Sequence, residues 1–270
     1  MVRGLDLFRE RLRPHEGSIV LIGGAACDDW FARQSLQFRA TQDLDIVLVI
    51  ELIDAAALTA LRDFIREGGY RSRFRSSSSP ELYRFADPTD ERFPKELEFF
   101  SRTPSDYDLT PGEVVPISME PDHHSLSAIL LNDAYYDLIR THHDTRDGLG
   151  ISNATALIPL KAFAWLDLSR LKAEGQKIDS KKIVKHRSDV FRLAATLPAE
   201  PGPALPEEIL QDLRRFMQAF PTDSPDWQGI LAAVKDTVGA NLTPTALREA
   251  VFSYFRLTDS NFTPSVQSPI

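Results

Sequence analysis

The sequence has almost no cysteine. Cys27 is the only one in 270 residues, so no disulfide forms within the chain, and no CxxC or paired Cys/His zinc spacing occurs. That usage points to a reducing compartment. Long apolar runs are also missing. The longest stretch free of Asp, Glu, Lys and Arg is Gly148–Leu160, 13 residues with Asn153 and Pro159 inside it. It is too short for a membrane-spanning helix. The opening MVRGLDLFRERLRP lacks the apolar segment of a secretory signal. A cytoplasmic chain with no membrane partner is expected. Positive charge is the third shortage: 31 Lys and Arg stand against 39 Asp and Glu, a net −8. Such a balance excludes coating of nucleic acid by bulk electrostatics and leaves room for a local basic site.

Apolar residues make up 43% of the chain, enough for an ordinary core without staples. At about 150 residues per domain, one large or two small domains are expected. The pattern divides near residue 150. Residues 1–150 mix strands and helices, and residues 151–270 read as helical.

In the first part, Leu5–Leu12, Ala25–Ser35 and Asp54–Glu67 have helical composition or spacing, the last stopped by Gly68-Gly69. Ser18–Ile22, Asp43–Ile50, Tyr70–Arg75, Leu82–Ala86 and Lys95–Arg102 read as strands. Val114–Met119, Leu126–Leu131 and Tyr135–Thr141 are weaker strand candidates. The serine run Ser76–Ser79 reads as a hairpin or loop tip. In the second part, helices are expected over Thr155–Ala173, Asp179–Thr196, Leu205–Phe220, Asp226–Val238 and Thr243–Phe255. Leu160, Phe163, Ala164 and Leu171 fall near one face of the first of these. Four prolines between Pro198 and Pro206 exclude a helix there, and the polar tail after Leu257 reads as frayed.

Three pieces carry chemistry: Gly23-Gly24 after an apolar run, Arg39-Ala40-Thr41-Gln42-Asp43-Leu44-Asp45 at a strand entry, and Leu97-Glu98-Phe99-Phe100. Residues two apart on a strand share a face, so Asp43 and Asp45 point the same way. Two carboxylates so placed repel unless a cation shares them. Mg²⁺ takes oxygen ligands, usually one or two carboxylates plus substrate phosphates. Glu98 on a neighbouring strand would complete a two-metal site. A Gly-Gly turn opening a helix offers bare N–H groups to phosphates, and Thr41 adds a hydroxyl. Glu96 lies on the same strand face as Glu98. Glu98 is preferred as the third acid because its apolar neighbours suit a strand interior.

A GG turn, a variable helix and R-x-T-x-D-x-D at a strand entry resemble the DNA polymerase β-like nucleotidyltransferase superfamily. Within it, the pattern resembles the AbiEii/AbiGii-type toxin nucleotidyltransferases. Those also carry a Lys on a later helix and a following helix with a Lys and an Asp. Here these are Lys161 and the segment Lys185–Leu193, with Asp189. The resemblance covers roughly residues 18–195, though its motifs fill far fewer positions, and Thr41 stands where serine is commoner. It implies an α/β (α+β) fold with a nucleotidyltransferase-type mixed sheet flanked by helices, followed by a helical region. It implies an NTP donor and Mg²⁺ on Asp43, Asp45 and Glu98. Gly23, Gly24, Arg39, Thr41 and Lys161 bind the nucleotide, and Asp189 orients Lys161 or helps the acceptor. For the toxins it further implies an RNA acceptor, often a tRNA 3′ end, and a cognate antitoxin in a prokaryotic defence setting. A small-molecule or protein hydroxyl as acceptor, or a nucleotide-binding module without turnover, stays open.

Blander readings compete at each position. Glu98 pairs with an arginine such as Arg84, Lys161 snorkels to solvent, and Asp189 pairs with Lys185 at i−4. His123-His124 and His142-His143 read as surface or loop histidines, since adjacent strand residues face apart. Trp30, Trp165 and Trp227 read as core anchors. The window Lys161–Arg192 holds nine Lys and Arg against four acids. It is either a solvated face or a track for a triphosphate or RNA backbone. Arg71, Arg73 and Arg75 form a smaller stripe on one strand face.

Overall fold

The computed structural model describes residues 2–75, 79–102, 114–117 and 126–258, with side chains at all of these except 72–83, 114–117 and 126–130. Residues 76–78 of the serine run, His123-His124 and the tail from residue 259 lie outside the described residues, as do the side chains of Arg73 and Arg75. The chain divides into two compact units, Met1–Ala156 and Leu157–Ile270.

The first unit is mixed α/β. In chain order it contains α1 (Leu5–Leu12), β1 (Ile19–Ile22), α2 (Gly23–Ala32), β2 (Asp43–Leu48), α3 (Ala55–Gly68), β3 (Arg71–Arg75), β4 (Ser79–Ala86), β5 (Glu96–Ser101), β6 (Val114–Ile117), β7 (Leu126–Leu130), α4 (Asp133–Thr141), β8 (His143–Arg146) and β9 (Leu149–Ser152). The strands form one mixed sheet in the order β3-β4-β5-β2-β1-β9-β8, with β7 joined to β5 and β6 to β7. β2 runs parallel to β5 and β1 parallel to β9, whereas β1/β2 and β4/β5 are antiparallel. The first expected boundary, residue 150, falls inside β9. That strand pairs with β1 and so belongs to the sheet.

Apolar residues place these elements. β1 is buried throughout, and β2 buries Leu44, Ile46, Val47 and Leu48. Asp54 caps α3 by accepting the Ala57 N–H, and Leu58, Leu61 and Phe64 form its buried stripe. Phe64 meets the Phe8 ring of α1 edge-on at 5.2 Å and the Phe93 ring at 4.8 Å. Burying such rings stabilises by roughly 1.5–3 kcal/mol each.

Two expectations fail here. Tyr135–Thr141 is not a strand but most of helix α4. Asn132 caps it by accepting the Tyr135 N–H, and Tyr135, Tyr136, Leu138 and Ile139 bury one helical face. The β8–β9 hairpin was not expected at all. It turns on Asp147-Gly148, both with positive φ (51° and 80°), the backbone of a two-residue hairpin turn. His143 is therefore the first residue of β8, and its Nδ1 lies 3.1 Å from the Ile139 carbonyl oxygen. Burial pushes the His142 imidazole below its usual pKa.

The second unit is helical: α5 (Ala154–Ala173), α6 (Ser180–Ala194), α7 (Glu207–Gln218), α8 (Trp227–Val238) and α9 (Pro244–Phe255). Asp179 and Thr243 cap α6 and α9, and Pro244 takes the first position of α9. The core centres on Phe191, Phe216, Phe220, Trp165 and Trp227, with centroids 4.7–5.7 Å apart. Trp227 is buried, while Trp30 and Trp165 are half-buried. The expected face of α5 is also corrected. Leu157, Ile158, Lys161 and Ala162 are buried, whereas Phe163 is 40% exposed and Leu160 is half-buried. No helix among the described residues is long and apolar enough to cross a membrane.

Candidate functional site

The sheet register assembles the acids of the first unit. Asp43 opposes Glu96 and Asp45 opposes Glu98 across the parallel β2/β5 pair. Glu98 in turn opposes Arg84 on β4, and Asp45 opposes Ile22 on β1. Opposed residues share a face. One row therefore crosses four strands as Ile22, Asp45, Glu98, Arg84, with Asp43 and Glu96 in the row beside it. The alternation of β2 and β5 leaves these four acids half-exposed while Leu44, Ile46, Leu97 and Phe99 turn into the core.

The row ends on the glycine turn. Gly23 opens α2 at φ +65°, and a Cβ there would sit 1.6 Å from Asp45 Oδ2. A Cβ on Gly24 would sit 2.5 Å from Thr41 Oγ1. Any side chain at either position would displace that oxygen, so this close approach needs glycine. The N-terminus of α2, Asp45 and Thr41 thus form one contiguous surface. Helix N-termini attract anions through unpaired N–H groups. Arg39 lies on the connector before β2, its guanidinium 4.7 Å from the Phe38 ring centroid. Beside Thr41, a cleft of about 520 Å³ opens between α1, α2 and that connector, with Leu5, Arg9, Asp28 and Phe38 on its walls.

Charge is unevenly matched in the row. Arg84 Nη2 hydrogen-bonds Glu98 Oε1, and Arg84 Nε lies 3.4 Å from Glu96 Oε1. The arginine partner considered for Glu98 is therefore present. Burial, and then the negative charge of Asp45, push the Glu98 carboxyl up to about 7, although Arg84 pulls it back. The donors are all carboxylate oxygens, the ligand type of hard divalent cations. No group of three or more His, Cys, Asp or Glu among the described residues is arranged to hold a metal ion. Asp43 and Asp45 supply two oxygen donors on one strand face, and Glu98 is engaged by Arg84.

In the second unit the structure brings Lys161 and Asp189 together. Lys161 on α5 is 5% exposed and Asp189 on α6 is fully buried. Lys161 Nζ lies 3.7 Å from Asp189 Oδ2, and Arg192 Nη1 donates to Asp189 Oδ1 at 3.0 Å. Arg192 Nε also donates to Thr237 Oγ1 and the Ala233 carbonyl, both at 3.1 Å. Lys161 does not snorkel, and Asp189 pairs with cations across the helix interface and at i+3.

Eight of the nine Lys and Arg of the basic window fall into two sets, and the ninth, Lys185, is half-buried. Lys161, Arg170, Arg187 and Arg192 each face a carboxylate: Asp189, Asp167 with Glu174, Asp226, and Asp189 again. Lys172, Lys177, Lys181 and Lys182 are exposed around the α5–α6 corner. The register of β3 against β4 shifts between Ser72 and Arg73, and Arg71 is exposed.

Sequence reasoning named Arg84 as a structural partner of Glu98 and did not count it in the site. Its place in the row depends on register across β4, β5 and β2, which no local spacing encodes. Compared with known proteins, the chain matches no family model and no curated sequence.

Proposed function

We propose that this protein is a Mg²⁺-dependent nucleotidyltransferase, moving a nucleoside monophosphate from an NTP to an acceptor hydroxyl. The observation that carries this reading is the abutment of Gly23 on Asp45, which joins a phosphate-type helix N-terminus to a pair of same-face carboxylates. Asp43 and Asp45 would hold the ion, with Glu98 as the third acid. The ion, when bound, supplies Lewis-acid stabilisation of the α-phosphate and a more acidic attacking hydroxyl. The N–H groups of Gly23 and Gly24, the Thr41 hydroxyl and the Arg39 guanidinium would bind the phosphates. For Lys161 the resemblance assigns neutralisation of triphosphate charge. Its 3.7 Å pair with Asp189 supports Asp189 as the residue that orients it.

The same resemblance supplies the acceptor and the setting: RNA, in particular a tRNA 3′ end, modified by the toxin of a prokaryotic toxin–antitoxin or phage-defence pair. Incubation with labelled NTPs, Mg²⁺ and total RNA tests this. Label is expected on RNA and absent with Asp43→Ala. Label on a small molecule or on protein would move the acceptor, and no transfer to any acceptor would remove the activity. A second reading, a nucleotide-binding module without turnover, is favoured by the engagement of Glu98 with Arg84. Mg²⁺-dependent nucleotide binding without transfer would select it.

A further inference from the structure

Lysine is scarce in this chain and unevenly placed. Four of its eight lysines, Lys172, Lys177, Lys181 and Lys182, fall where α5 gives way to α6. All four are exposed. The two acids of the same stretch are already engaged. Glu174 accepts from Arg170, and the Asp179 side chain accepts the Lys181 backbone N–H. No carboxylate of the described residues pairs with any of the four ammonium groups. Lys172 donates to Ser180 Oγ, a neutral partner that leaves its charge uncompensated. Arg170 and Arg187, by contrast, are each matched by a carboxylate. The turn between the helices is also open. Residues 173–177 are exposed, and a Cβ on Gly175 would meet nothing within 4 Å.

We propose that the α5–α6 corner is a docking surface for the phosphate backbone of RNA. The inference rests on RNA as the acceptor in the proposed function, and it adds a contact made by residues other than the acid row. Lysines are compact charges on flexible stems, suited to phosphates and carrying no base readout. Neutralising phosphates releases their condensed counterions, which supplies affinity independent of sequence. On a chain of net −8, a polyanion is repelled on average, so a local basic patch decides where it lands. An acidic protein fits less well. Protein interfaces are depleted of lysine and centre on apolar or aromatic anchors. Of the exposed large apolar side chains among the described residues, Val184 alone lies within a few residues of this stretch.

The test is fluorescence anisotropy of the full chain with a fluorescein-labelled RNA hairpin carrying a single-stranded 3′ end, across a salt series, with thermal melts as a folding check. Wild type is compared with three variants. One combines Lys181→Gln with Lys182→Gln, and one replaces all four corner lysines with Gln. The third, a control, combines Lys95→Gln with Lys235→Gln and so removes two exposed lysines elsewhere. The slope of log affinity against log salt should fall by about 1 per corner lysine removed. The four-lysine variant should bind at least about tenfold more weakly at about 50 mM salt, and the control should bind as wild type does. Unchanged binding by the four-lysine variant would overturn the docking surface. An equal loss in the two double variants would mean a bulk charge effect and would overturn it too. A labelled poly-aspartate peptide bound as tightly as the hairpin would overturn RNA as the partner. Lysine-dependent RNA binding without label transfer from any NTP would remove the nucleotidyltransferase reading and leave the corner standing. No hairpin binding by wild type would remove the corner and leave transfer to another acceptor untouched.

Discussion

Two clusters of opposed charges, one from each unit, are built differently. In the helical unit, Asp189 is fully buried between Lys161 and Arg192, with Thr237 and the Ala233 carbonyl completing the arginine's hydrogen bonds. In the sheet unit, Asp43, Asp45, Glu96 and Glu98 share one sheet face beside Arg84 and are partly exposed. A buried charge must be matched inside the fold, because desolvation leaves it no other partner. A partly exposed carboxylate stays open to partners from solution. The contrast separates a cluster sealed inside the fold from one that solution can reach.

The largest expected effect breaks the buried cluster. Asp189→Ala strands two cations in the interior, at a cost of about 3–5 kcal/mol. Urea denaturation of the variant measures this, and a loss below about 1 kcal/mol would remove the contrast. The next effect concerns pH. Glu98 holds its proton up to about 7 in the folded chain, against an ordinary value of 4.5. Between those values the folded state binds the proton that the unfolded state releases. Its contribution to stability therefore declines as pH rises from about 4.5 to about 7, by at most about 3 kcal/mol. The difference in unfolding free energy between wild type and Glu98→Gln, measured across that range, isolates it. Wild type is expected to lose stability relative to Glu98→Gln as pH rises, and a wild type that gains on the variant would contradict the raised Glu98 pKa. The smallest effect compares two glycines with positive φ. Gly23→Ala meets Asp45, and Gly175→Ala, at φ +89°, meets nothing within 4 Å. The first should cost about 2 kcal/mol or more and the second about 1. Equal costs would mean that Asp45 yields freely.

Local chemistry carried much of the fold into the sequence. Ile46–Val49 is apolar and β-branched enough to read as a strand, and Asp54, Asp179 and Thr243 announce helix starts that the structure keeps. Tyr135–Thr141 misled because aromatic residues favour strands, whereas Asn132 and the buried pattern at 135, 136, 138 and 139 favour a helix. The β8–β9 hairpin escaped because His143–Arg146 is short and polar, yet Asp147-Gly148 was a usable turn signal. Of the site, Asp43, Asp45 and the glycine pair were legible because they lie close in sequence around one strand entry. The Glu98–Arg84 contact was legible only as one pairing among several. Its geometry depends on nonlocal register.

The central claim is that the acid row receives a divalent cation. Titration of the full chain with Mn²⁺, following the electron paramagnetic resonance signal of the free ion, tests it directly. The account predicts a saturable site in wild type that is lost in Asp43→Ala and Asp45→Ala and survives Lys161→Met in the helical unit. Absence of saturable binding, or unchanged binding by Asp45→Ala, would contradict it.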